Sequence, residues 1–531
     1  MAGVEHLPRR ALVLIGFMGA GKSTVARELA QALGVTALDS DELLAERFGH
    51  SPATEFELRG EASFRAAEEQ LVCELLGAGE PGAVIALGGG SILSERVRAA
   101  LEPHVVVLLD VVAEQAWERV NGDEAAQGAL GRPLARDREA FLALHGERRE
   151  LYERHAHAFL PQLPRGGSVR VLDALRALAG APSGTRLVWA QSASGEYPVL
   201  IGRGLLRAAG AGEPAQLWPL DRSASRAFCV TDETVAGLYG DRLQGLAGTI
   251  AIAPGEQHKT LAAAEAVWRA LLDAGADRGD HVVALGGGVV GDLAGFCAAT
   301  YQRGVPIVHV PTTLLAQVDS AYGGKTGVDL PQAKNYVGVY HQPAGVLVDP
   351  DTLHSLPEQE LAAGWVEVLK TALISGGALW ERVSQGEDLD VQTILDCART
   401  KLAVVADDER DAGRRQVLNL GHTVGHAIET ATGYARYRHG EAVGLGLLAA
   451  LRLSGAQALR EQVREMLLAR KLPVTLDGAD VQDVLRAAMR DKKRVGQSLS
   501  FVLLSEPGQA QIGCEVAQDE LQSAVAELTR R

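Results

Sequence analysis

Cysteine, aromatic residues and long apolar runs are all scarce in this chain of 531 residues. The five cysteines stand singly and never as C-x-x-C, which excludes a dense disulfide framework and a thiolate metal site and suits a reducing compartment. No apolar run reaches the roughly 18 residues that suggest a membrane helix. The charged stretch Met1–Arg10 makes a poor signal peptide. We therefore expect a cytoplasmic protein that does not bind a membrane.

Basic charge is also in short supply. Lys and Arg number 52 against 67 Asp and Glu, so the formal net charge is −15. This balance argues against a nucleic-acid partner, since a polyanion would be repelled by the molecule as a whole. It does not exclude small anionic substrates, because a few local Lys and Arg residues can hold them. Apolar residues make up 47% of the chain, enough for ordinary cores.

The first third of the sequence alternates short buried strands with helical patterns. Ala11–Ile15, Val84–Leu87 and Val105–Leu109 are apolar runs, each followed by helical spacing. Such alternation predicts a parallel sheet with helical crossovers, in the manner of a P-loop NTPase. The pattern fades near residue 178, and the stretch 179–186 is rich in Gly, Pro, Ser and Ala. We predict a first domain over 1–178 followed by a linker.

A second α/β block begins at about residue 187 and gives way to a helical region near residue 351. Its predicted strands are Ala227–Thr231, His281–Leu285 and Ile307–Val310. The predicted helices of the last part include Leu361–Ile374, Val391–Ala406 and Gly440–Leu453. The fold class is therefore α/β, with a second α/β domain over 187–350 and a mostly α-helical domain over 351–531.

A phosphate-binding loop follows the first strand. Residues 16–23 read G-x-x-x-x-G-K-S, between a strand and a helix. The glycines let backbone N–H groups turn towards phosphate, Lys22 reaches the β- and γ-phosphates, and Ser23 ligates Mg²⁺. Two further features follow neighbouring strands: an aspartate pair, and the triplet Gly88–Gly90, which either allows close backbone approach to a ligand or is a bare turn. Asp39 and Asp41, at i and i+2, are expected to face one side of an extended segment, either to bind Mg²⁺ or a hydroxyl or simply to cap a helix.

With Gly60-Glu61-Ala-Ser-Phe64-Arg65, the Gly88–Gly90 triplet, Gly131-Arg132-Pro133-Leu134 and Arg148, these motifs resemble shikimate kinase over residues 8–178. The resemblance implies that Asp39 lies near the metal and the reacting hydroxyl, and that Arg132 in a lid stabilises the transferring phosphoryl group. It implies ATP and Mg²⁺ binding by Gly19, Gly21, Lys22, Ser23, Thr24 and Arg132, with Lys22, Asp39 and Arg132 catalytic. It implies shikimate binding by Asp41, Arg65, Gly88, Gly89, Gly90 and Arg148.

Two residues depart from that family's pattern. Glu150 stands where the family usually has proline, and we expect it to put a negative charge near Arg148 and to alter the local turn. Ala135 follows Arg-Pro-Leu in the lid, which is a milder change.

The second block carries a glycine-rich loop and a histidine cluster. Residues 285–292 read LGGGVVGD between an apolar strand and an apolar helix, which suits a pyrophosphate but is not a standard G-x-G-x-x-G. His422 and His426 lie at i and i+4 on one helix face. Two imidazoles and a carboxylate with open positions indicate a catalytic zinc site. Spacing alone leaves open which three bind the metal among Glu367, His422, His426, His439 and Glu441.

From about residue 197 to 504 the chain resembles 3-dehydroquinate synthase. The matching pieces include GEQHK at 255–259, the 286–292 loop, PTT at 311–313, GGKTG at 323–327, NLGH at 419–422 and HGE at 439–441. The resemblance implies zinc or cobalt ligation by Glu367, His422 and His439, with His426 as an acid–base or orienting residue. Catalytic roles are implied for His426, Asp411, Lys325 and Lys370.

The same resemblance implies binding residues for NAD⁺ and for a seven-carbon keto-acid phosphate. The NAD⁺ set is Asp232, Glu256, Lys259, Gly287, Gly288, Val289, Asp292, Thr312, Thr313, Lys334 and Ser355. The substrate set is Arg303, Asp319, Lys325, Asn335, Lys370, Lys401, Arg415, Asn419, His439, Lys492 and Lys493. Asp411 stands where the family commonly has glutamate with a proton-transfer role, and Glu409 is a candidate stand-in.

We therefore predict a bifunctional enzyme of aromatic amino-acid biosynthesis. It would phosphorylate shikimate with ATP and would convert 3-deoxy-D-arabino-heptulosonate 7-phosphate to 3-dehydroquinate and phosphate. The resemblance also implies a homodimer through the synthase part. Two alternatives remain: the second unit is another sugar-phosphate cyclase or a polyol dehydrogenase with net NAD turnover, or one unit is a non-catalytic sensor or oligomerisation module.

Overall fold

The computed structural model describes residues 11–78, 82–122, 136–164, 166–210, 217–220, 225–495 and 500–529, without the side chains of residues 210 and 490–495. The chain divides into two compact units, and the division falls within a β-hairpin over residues 186–201. The predicted linker is shorter as an irregular segment, because residues 179 and 180 end a helix and Arg186 begins a strand. The predicted domain limits themselves remain a prediction.

The first unit is a parallel sheet with crossover helices. In chain order its elements are β1 (Ala11–Ile15), α1 (Lys22–Leu33), β2 (Ala37–Asp39), α2 (Ser40–Phe48), α3 (Pro52–Ala78), β3 (Ala83–Ala86), α4 (Glu95–Leu101), β4 (Val105–Leu109), α5 (Ala113–Gly122), α6 (Arg138–His155), β5 (Ala158–Leu160), α7 (Leu172–Gly180) and the hairpin strand β6 (Arg186–Ser192).

Strands β1 to β5 lie in the order β2-β3-β1-β4-β5, and all four pairings are parallel. β1 and β4 are apolar and buried at every position, as expected of strands covered on both faces. The phosphate loop follows β1, the Asp39–Asp41 segment follows β2 and the glycine triplet follows β3. Because the carboxyl ends of parallel strands meet at one edge, these segments are brought together there.

The second unit begins with a further set of strands and helices. Its elements are β7 (Gly195–Ile201), α8 (Leu205–Gly210), β8 (Ala227–Asp232), α9 (Glu233–Tyr239), β9 (Gly248–Ile252), α10 (Leu261–Asp273), β10 (His281–Gly286), α11 (Gly288–Thr300), β11 (Ile307–Pro311), the antiparallel pair β12 (Lys325–Leu330) and β13 (Ala333–Tyr340), and β14 (Gly345–Val348).

Strands β14-β11-β10-β8-β9 form a parallel array in that order. Phe228, Val267, Leu293 and Ile307 belong to the apolar core between this array and helices α10 and α11. The glycine loop follows β10 and residues 312–313 follow β11, which places both at the carboxyl edge of the array.

The rest of the second unit is mostly helical. It contains α12 (Glu358–Ser375), α13 (Gly377–Ser384), α14 (Val391–Asp407), α15 (His422–Ala431), α16 (His439–Leu453), α17 (Gln457–Ala469), α18 (Val481–Val495), a hairpin of β15 (Ser500–Leu504) and β16 (Ala510–Glu515), and α19 (Gln518–Leu528). The predicted fold class is confirmed. Sequence patterning missed the β15–β16 hairpin, which interrupts the helical region.

Two glycines allow α16 to approach its neighbours closely. A Cβ at Gly440 would lie 1.9 Å from the backbone oxygen of Ala363 in α12, and one at Gly446 would lie 1.9 Å from that of Gly421, just before α15. No side chain fits at either position, so α12, α15 and α16 pack backbone against backbone. No helix in the described part of the chain combines the length and apolar character needed to cross a bilayer.

We expect Gly446→Ala to lower the free energy of unfolding of the second unit by about 1–3 kcal/mol, because the added methyl group must push the start of α15 away. Urea unfolding followed by circular dichroism measures this. Gly444→Ala in the same helix is the control, since its Cβ would meet side-chain methyl groups and no backbone, with Leu467 Cδ2 at 3.3 Å and Val366 Cγ2 at 3.8 Å. Equal stability of the two variants would contradict the close-packing argument.

Candidate functional sites

The loop between β1 and α1 has the backbone of a phosphate cradle. Gly19 and Gly21 have φ values of 81° and 88°, in the left-handed region. A Cβ at Gly19 would lie 2.7 Å from the backbone oxygen of Ala116. Lys22 Nζ donates a hydrogen bond of 2.9 Å to the Gly16 oxygen, which holds the ammonium over the loop. A polyphosphate here would meet inward N–H groups, a helix N-terminus and a cation.

This loop opens into a cleft of about 1170 Å³ within the first unit. The predicted site residues that line it are Gly19, Gly21, Lys22, Ser23, Thr24, Asp39, Asp41, Arg65, Gly89, Gly90 and Arg148. Arg119 also lines the cleft and donates to the Gly19 oxygen at 3.2 Å, a contact that the sequence analysis missed. Arg132 and Ala135 lie outside the described residues.

A buried carboxylate holds the first of the predicted acid-binding arginines. Glu68 accepts from Arg65 Nη1 at 2.6 Å and from Ser91 Oγ at 2.8 Å, and its side chain is only 3% exposed. A Cβ at Gly90 would lie 1.8 Å from Arg65 Nη1, so only glycine leaves room for the guanidinium. The sequence analysis missed Glu68, although its i+3 spacing from Arg65 on α3 was a usable signal.

The aspartate pair differs from the prediction. β2 ends at Asp39 and α2 begins at Ser40, so the two residues do not share an extended segment. Asp39 Oδ1 accepts from the N–H of Asp41 at 2.9 Å and of Glu42 at 3.4 Å, which makes it the cap of α2. Both aspartates nonetheless line the cleft. The capping role and the site role are therefore compatible.

The expectation for Glu150 was wrong. α6 runs without interruption through Glu150, whose largely exposed side chain pairs with Arg154 at 2.6 Å. Arg148, by contrast, is buried, and its Nη1 donates to the Gly89 oxygen at 3.5 Å. An i, i+4 partner on the helix surface thus draws the Glu150 charge away from the cleft.

In the second unit, three closely packed helices bring the predicted metal ligands together. Glu367 lies on α12, His422 on α15 and His439 on α16. Glu367 Oε1 is 3.7 Å from Nε2 of both imidazoles. Glu367 is 1% exposed, and this oxygen has no hydrogen-bond partner among the described residues. Ligand atoms at about 2.0–2.2 Å from a tetrahedral zinc lie about 3.3 Å apart, so a divalent cation fits this gap.

Electrostatics prepares these groups for a cation. Burial, and next the charge of Lys370, keep the pKa of His422 well below its usual value, so its imidazole is neutral. Burial raises the pKa of Glu367, although Lys370 opposes this. Burial alone would lower the pKa of His439, but Glu429 and Glu367 outweigh it and raise the value. A cation would satisfy the buried carboxylate and displace the proton that His439 otherwise attracts.

Two triplets compete for the metal. His422, His426 and His439 can place one ring nitrogen each within 4.8 Å of one another. The set with Glu367 is favoured because it includes a buried carboxylate oxygen that has no hydrogen-bond partner among the described residues and lies 3.7 Å from Nε2 of both His422 and His439. The Glu441 carboxylate accepts from the Arg438 N–H at 2.9 Å and caps α16, so it takes no part.

Buried charges of alternating sign extend from the metal ligands into the predicted substrate region. Lys370 Nζ contacts the Glu367 carboxylate and lies 3.2 Å from Asp319 Oδ2. Lys401 also contacts Asp319 and donates to its backbone oxygen at 2.6 Å. Burial alone would raise the pKa of Asp319, but Lys370 and Lys401 hold it well below its usual range. Burial lowers the pKa of Lys401.

Residues 409–415 form the other side of this region. Lys325 contacts Asp411, whose backbone has a φ of 61°. Arg415 is 2% exposed and donates to the backbone oxygens of Glu409 at 2.5 Å and Gly323 at 3.0 Å. Asp411, the predicted proton-transfer residue, thus lies beside a predicted substrate lysine.

The contacts of Glu409 favour a structural role over the proton transfer for which it was a candidate. Its buried carboxylate accepts from the Ser194 N–H at 2.9 Å and from Gln342 Nε2 at 3.0 Å, and it also contacts the Ser194 hydroxyl. Burial alone would raise its pKa, but the bonds from Gln342 and Ser194 lower it. Glu409 therefore fixes the 409–415 loop to the turn of the β6–β7 hairpin.

A second cluster of charged side chains is formed by the predicted dinucleotide residues Glu256, Lys259 and Asp292. Lys259 is 3% exposed, and its Nζ lies 2.9 Å from Glu256, 3.2 Å from Asp292 and 2.7 Å from Asn335 Oδ1. Burial raises the pKa of Asp292 to about 6 against the pull of Lys259. Asn335 accepts the 2.7 Å bond from Lys259, and its substrate role stays a prediction. The backbone of Asn335 is left-handed, with a φ of 54°, near the start of β13.

The glycine loop after β10 lies against Thr313, which follows the neighbouring strand β11. Gly287 precedes α11, and a Cβ there would lie 2.8 Å from Thr313 Cγ2. Among the other predicted dinucleotide residues, Asp232 caps α9, the Ser355 hydroxyl lies 2.6 Å from the Tyr239 hydroxyl, and the Thr312 N–H donates to the Gly286 oxygen. Among the other predicted substrate residues, Arg303 is exposed and Asn419 ends a short 3₁₀ helix. The side chains of Lys492 and Lys493 lie outside the described residues.

The fold and the two sites define a two-part enzyme, with a phosphate-loop kinase unit followed by a dinucleotide- and metal-site unit. Family models match residues 18–165 as shikimate kinase, 249–363 as the N-terminal and 364–494 as the C-terminal part of 3-dehydroquinate synthase. The 3-dehydroquinate synthase of Halorhodospira halophila is 42% identical over 359 residues, which cover 64% of this chain and 99% of that protein. The chain belongs to the 3-dehydroquinate synthase family and carries a shikimate kinase unit ahead of it.

Solved structures of two further synthases share the fold of the second unit. A 2-deoxy-scyllo-inosose synthase complexed with carbaglucose-6-phosphate, NAD⁺ and Co²⁺ aligns with a TM-score of 0.57 at 24% identity, covering 64% of this chain and 99% of that chain. The 2-epi-5-epi-valiolone synthase of Streptomyces hygroscopicus, with NAD⁺ and Zn²⁺ bound, aligns with a TM-score of 0.56 at 26% identity, covering 62% and 96%. The predicted fusion of two enzymes is confirmed at the level of family.

We expect Gly90→Ala to raise the KM for shikimate by about 10- to 100-fold, because a methyl group would displace Arg65 and lose charge-assisted bonds to the substrate carboxylate of about 1.5–3 kcal/mol. Steady-state kinetics with varied shikimate test this. Gly146→Ala is the control, since a Cβ there meets nothing within 4 Å. If KM is unchanged in both variants, Arg65 does not bind the acid in the position described.

We expect Glu409→Gln to raise the KM for the heptulosonate phosphate by roughly tenfold. If the amide oxygen keeps the bonds from the Ser194 hydroxyl and Gln342, the amide NH₂ group cannot accept the Ser194 N–H, and the loop is left about 1–3 kcal/mol less stable. The pH profile of kcat should keep its shape. A proton-transfer role would instead lower kcat and remove one limb of that profile. The exposed Glu465→Gln is the matched control.

Proposed function

We propose that the first unit transfers the γ-phosphoryl group of ATP to shikimate and that the second converts 3-deoxy-D-arabino-heptulosonate 7-phosphate to 3-dehydroquinate and phosphate. The observation that carries the second assignment is the unpartnered Glu367 oxygen facing two imidazoles beside the buried Lys370–Asp319–Lys401 group. A metal site next to a cluster of lysines suits a substrate with hydroxyl groups and a departing phosphate.

In the kinase unit, one set of cleft residues would bind the nucleotide and another would bind shikimate. Lys22 and the loop N–H groups would bind the β- and γ-phosphates, and Ser23 would ligate Mg²⁺. Asp41, Arg65 and Arg148 would hold shikimate, with the arginines pairing with its carboxylate. Asp39 would orient the attacking hydroxyl, and Arg132 would neutralise charge on the transferring group.

In the synthase unit, the buried lysines Lys370 and Lys401 would bind the substrate phosphate and stabilise it as it leaves. Lys370 and Lys401 are already held by Asp319, so they need little reorganisation to receive it. Lys325 and Arg415 would add positive charge, and Asp411 would move a proton at the carbon next to the oxidised centre. His426, at the exposed rim, would exchange protons with the substrate or with solvent.

The second unit would bind a divalent metal and NAD⁺, and the kinase unit would bind Mg²⁺ together with ATP. When bound, Zn²⁺ or Co²⁺ would polarise a substrate hydroxyl, NAD⁺ would accept and return one hydride, and Mg²⁺ would accompany ATP. Glu367, His422 and His439 would hold the metal. Lys259, Asp292 and the glycine loop would hold the dinucleotide near the carboxyl edge of the sheet.

The residues present argue against the alternatives, which are another sugar-phosphate cyclase, a polyol dehydrogenase and a non-catalytic sensor. A polyol dehydrogenase would have no use for the lysine pair around Asp319, and a sensor would need no complete metal and phosphate-loop sets. The 42% identity over almost the whole length of a 3-dehydroquinate synthase exceeds the 24–26% identity to the two further synthases. These points favour the heptulosonate phosphate as substrate.

The remaining assignments concern the whole molecule. We propose domains over 1–178, 187–350 and 351–531, a homodimer formed through the synthase part, and a cytoplasmic location without nucleic-acid or membrane partners. Five free thiols support a reducing compartment. The net charge of −15 supports the absence of a polyanionic partner.

The test uses the full chain in two assays with crossed variants. With heptulosonate phosphate, NAD⁺ and Zn²⁺, we expect phosphate release without accumulation of NADH, lost in His422→Ala and retained in Lys22→Met. With shikimate and ATP–Mg²⁺, we expect ADP formation, lost in Lys22→Met and retained in His422→Ala. Absence of phosphate release, or build-up of NADH, would refute the synthase assignment; absence of ADP formation would refute the kinase assignment.

A further inference from the structure

Glu429 is a buried carboxylate that the sequence analysis did not assign to either site. It lies on α15, seven residues after His422, and is 3% exposed. Its two oxygens have different partners: Oε2 lies 3.5 Å from His439 Nδ1, and Oε1 lies 3.3 Å from Lys334 Nζ. One side chain therefore contacts a predicted metal ligand and a predicted dinucleotide residue.

On the metal side, Glu429 lies behind the imidazole. The other ring nitrogen of His439, Nε2, faces Glu367 Oε1 at 3.7 Å. A carboxylate that accepts the Nδ1 proton leaves Nε2 free to bind a cation and fixes the plane of the ring. Glu429 is thus placed to orient His439 without touching the metal.

On the dinucleotide side, Lys334 continues the chain of charges. Its Nζ lies 3.9 Å from Glu256 and above the Tyr434 ring, 4.7 Å from the centroid. Glu256 in turn pairs with Lys259. A continuous run of alternating charges therefore links the metal ligands to the residues around the glycine loop.

We propose that Glu429 is a positioning residue that couples the metal site to the NAD⁺ site, so that each ligand binds more tightly when the other is present. The proposal rests on the proposed function, which puts both ligands in this unit. A metal at His439 fixes Glu429, and Glu429 then holds Lys334 in place for the dinucleotide. Since the second ligand finds the shared side chains already ordered, its binding costs less conformational entropy.

The coupling is reciprocal, which makes it measurable from either side. Titration calorimetry of the full chain gives the dissociation constant of NAD⁺ with and without Zn²⁺, and that of Zn²⁺ with and without NAD⁺. In the unsubstituted protein we expect each ligand to tighten the other by at least about fivefold, within the usual range of coupling between sites.

Glu429→Gln should weaken Zn²⁺ binding by about 10- to 100-fold and reduce the coupling factor to near one. Glu441→Gln is the matched control, because its carboxylate lies two residues after His439 but caps α16. Lys334→Met is the second variant: it should weaken NAD⁺ binding and abolish coupling while Zn²⁺ binding without NAD⁺ is retained. The absorption bands of bound Co²⁺ should shift in Glu429→Gln only.

The outcomes separate the inference from the proposed function. Binding of both ligands with no mutual effect in the unsubstituted protein would overturn the coupling and leave the function in place. Unchanged coupling in Glu429→Gln would overturn the role of this residue. Failure of the unsubstituted protein to bind either ligand would overturn both the function and the inference. Thermal unfolding of each variant shows whether a loss comes from misfolding instead.

Discussion

The buried ion cluster of Glu367, Lys370 and Asp319 is the interaction on which the second unit depends. Removing charges from water costs several kcal/mol each, and only close partners of opposite sign offset this. Lys370 lies between two carboxylates, and Lys401 supports Asp319 from the other side. One oxygen of Glu367 is left for the two imidazoles. These contacts offset the desolvation of the cluster and leave Glu367 Oε1 facing the predicted metal ligands His422 and His439.

Close helix packing makes this arrangement attainable. Gly440 and Gly446 let α16 touch α12 and α15 through their backbones, which places His439 beside Glu367 and His422. The same logic operates in the first unit, where Gly90 leaves room for Arg65. In both units glycines far apart in sequence set the distances between charged groups. An acidic protein can thus present strongly cationic sites to phosphates and carboxylates, because the positive charge is local and held by buried partners.

Much of the architecture could be predicted because buried parallel strands have a distinctive apolar pattern. The predicted strands at Val105–Leu109 and His281–Leu285 match the observed elements to within one residue. The errors have local causes: a helix that begins at Ser40 instead of an extended segment, and a surface partner for Glu150. The sequence did not reveal the contacts of Glu409 and Asn335 because their partners, Ser194 and Lys259, lie 215 and 76 residues away in the chain.

By itself the sequence determined the order of the two units, the phosphate loop and the set of residues eligible to bind a metal. These follow from short-range patterns, in which spacing along one strand or helix decides which side chains share a face. Tertiary structure decided which eligible residues meet. It excluded Glu441 by giving its carboxylate to Arg438, and it placed Glu429 between His439 and Lys334. The reason is that contacts between separate helices and strands depend on packing distances, which no local spacing encodes.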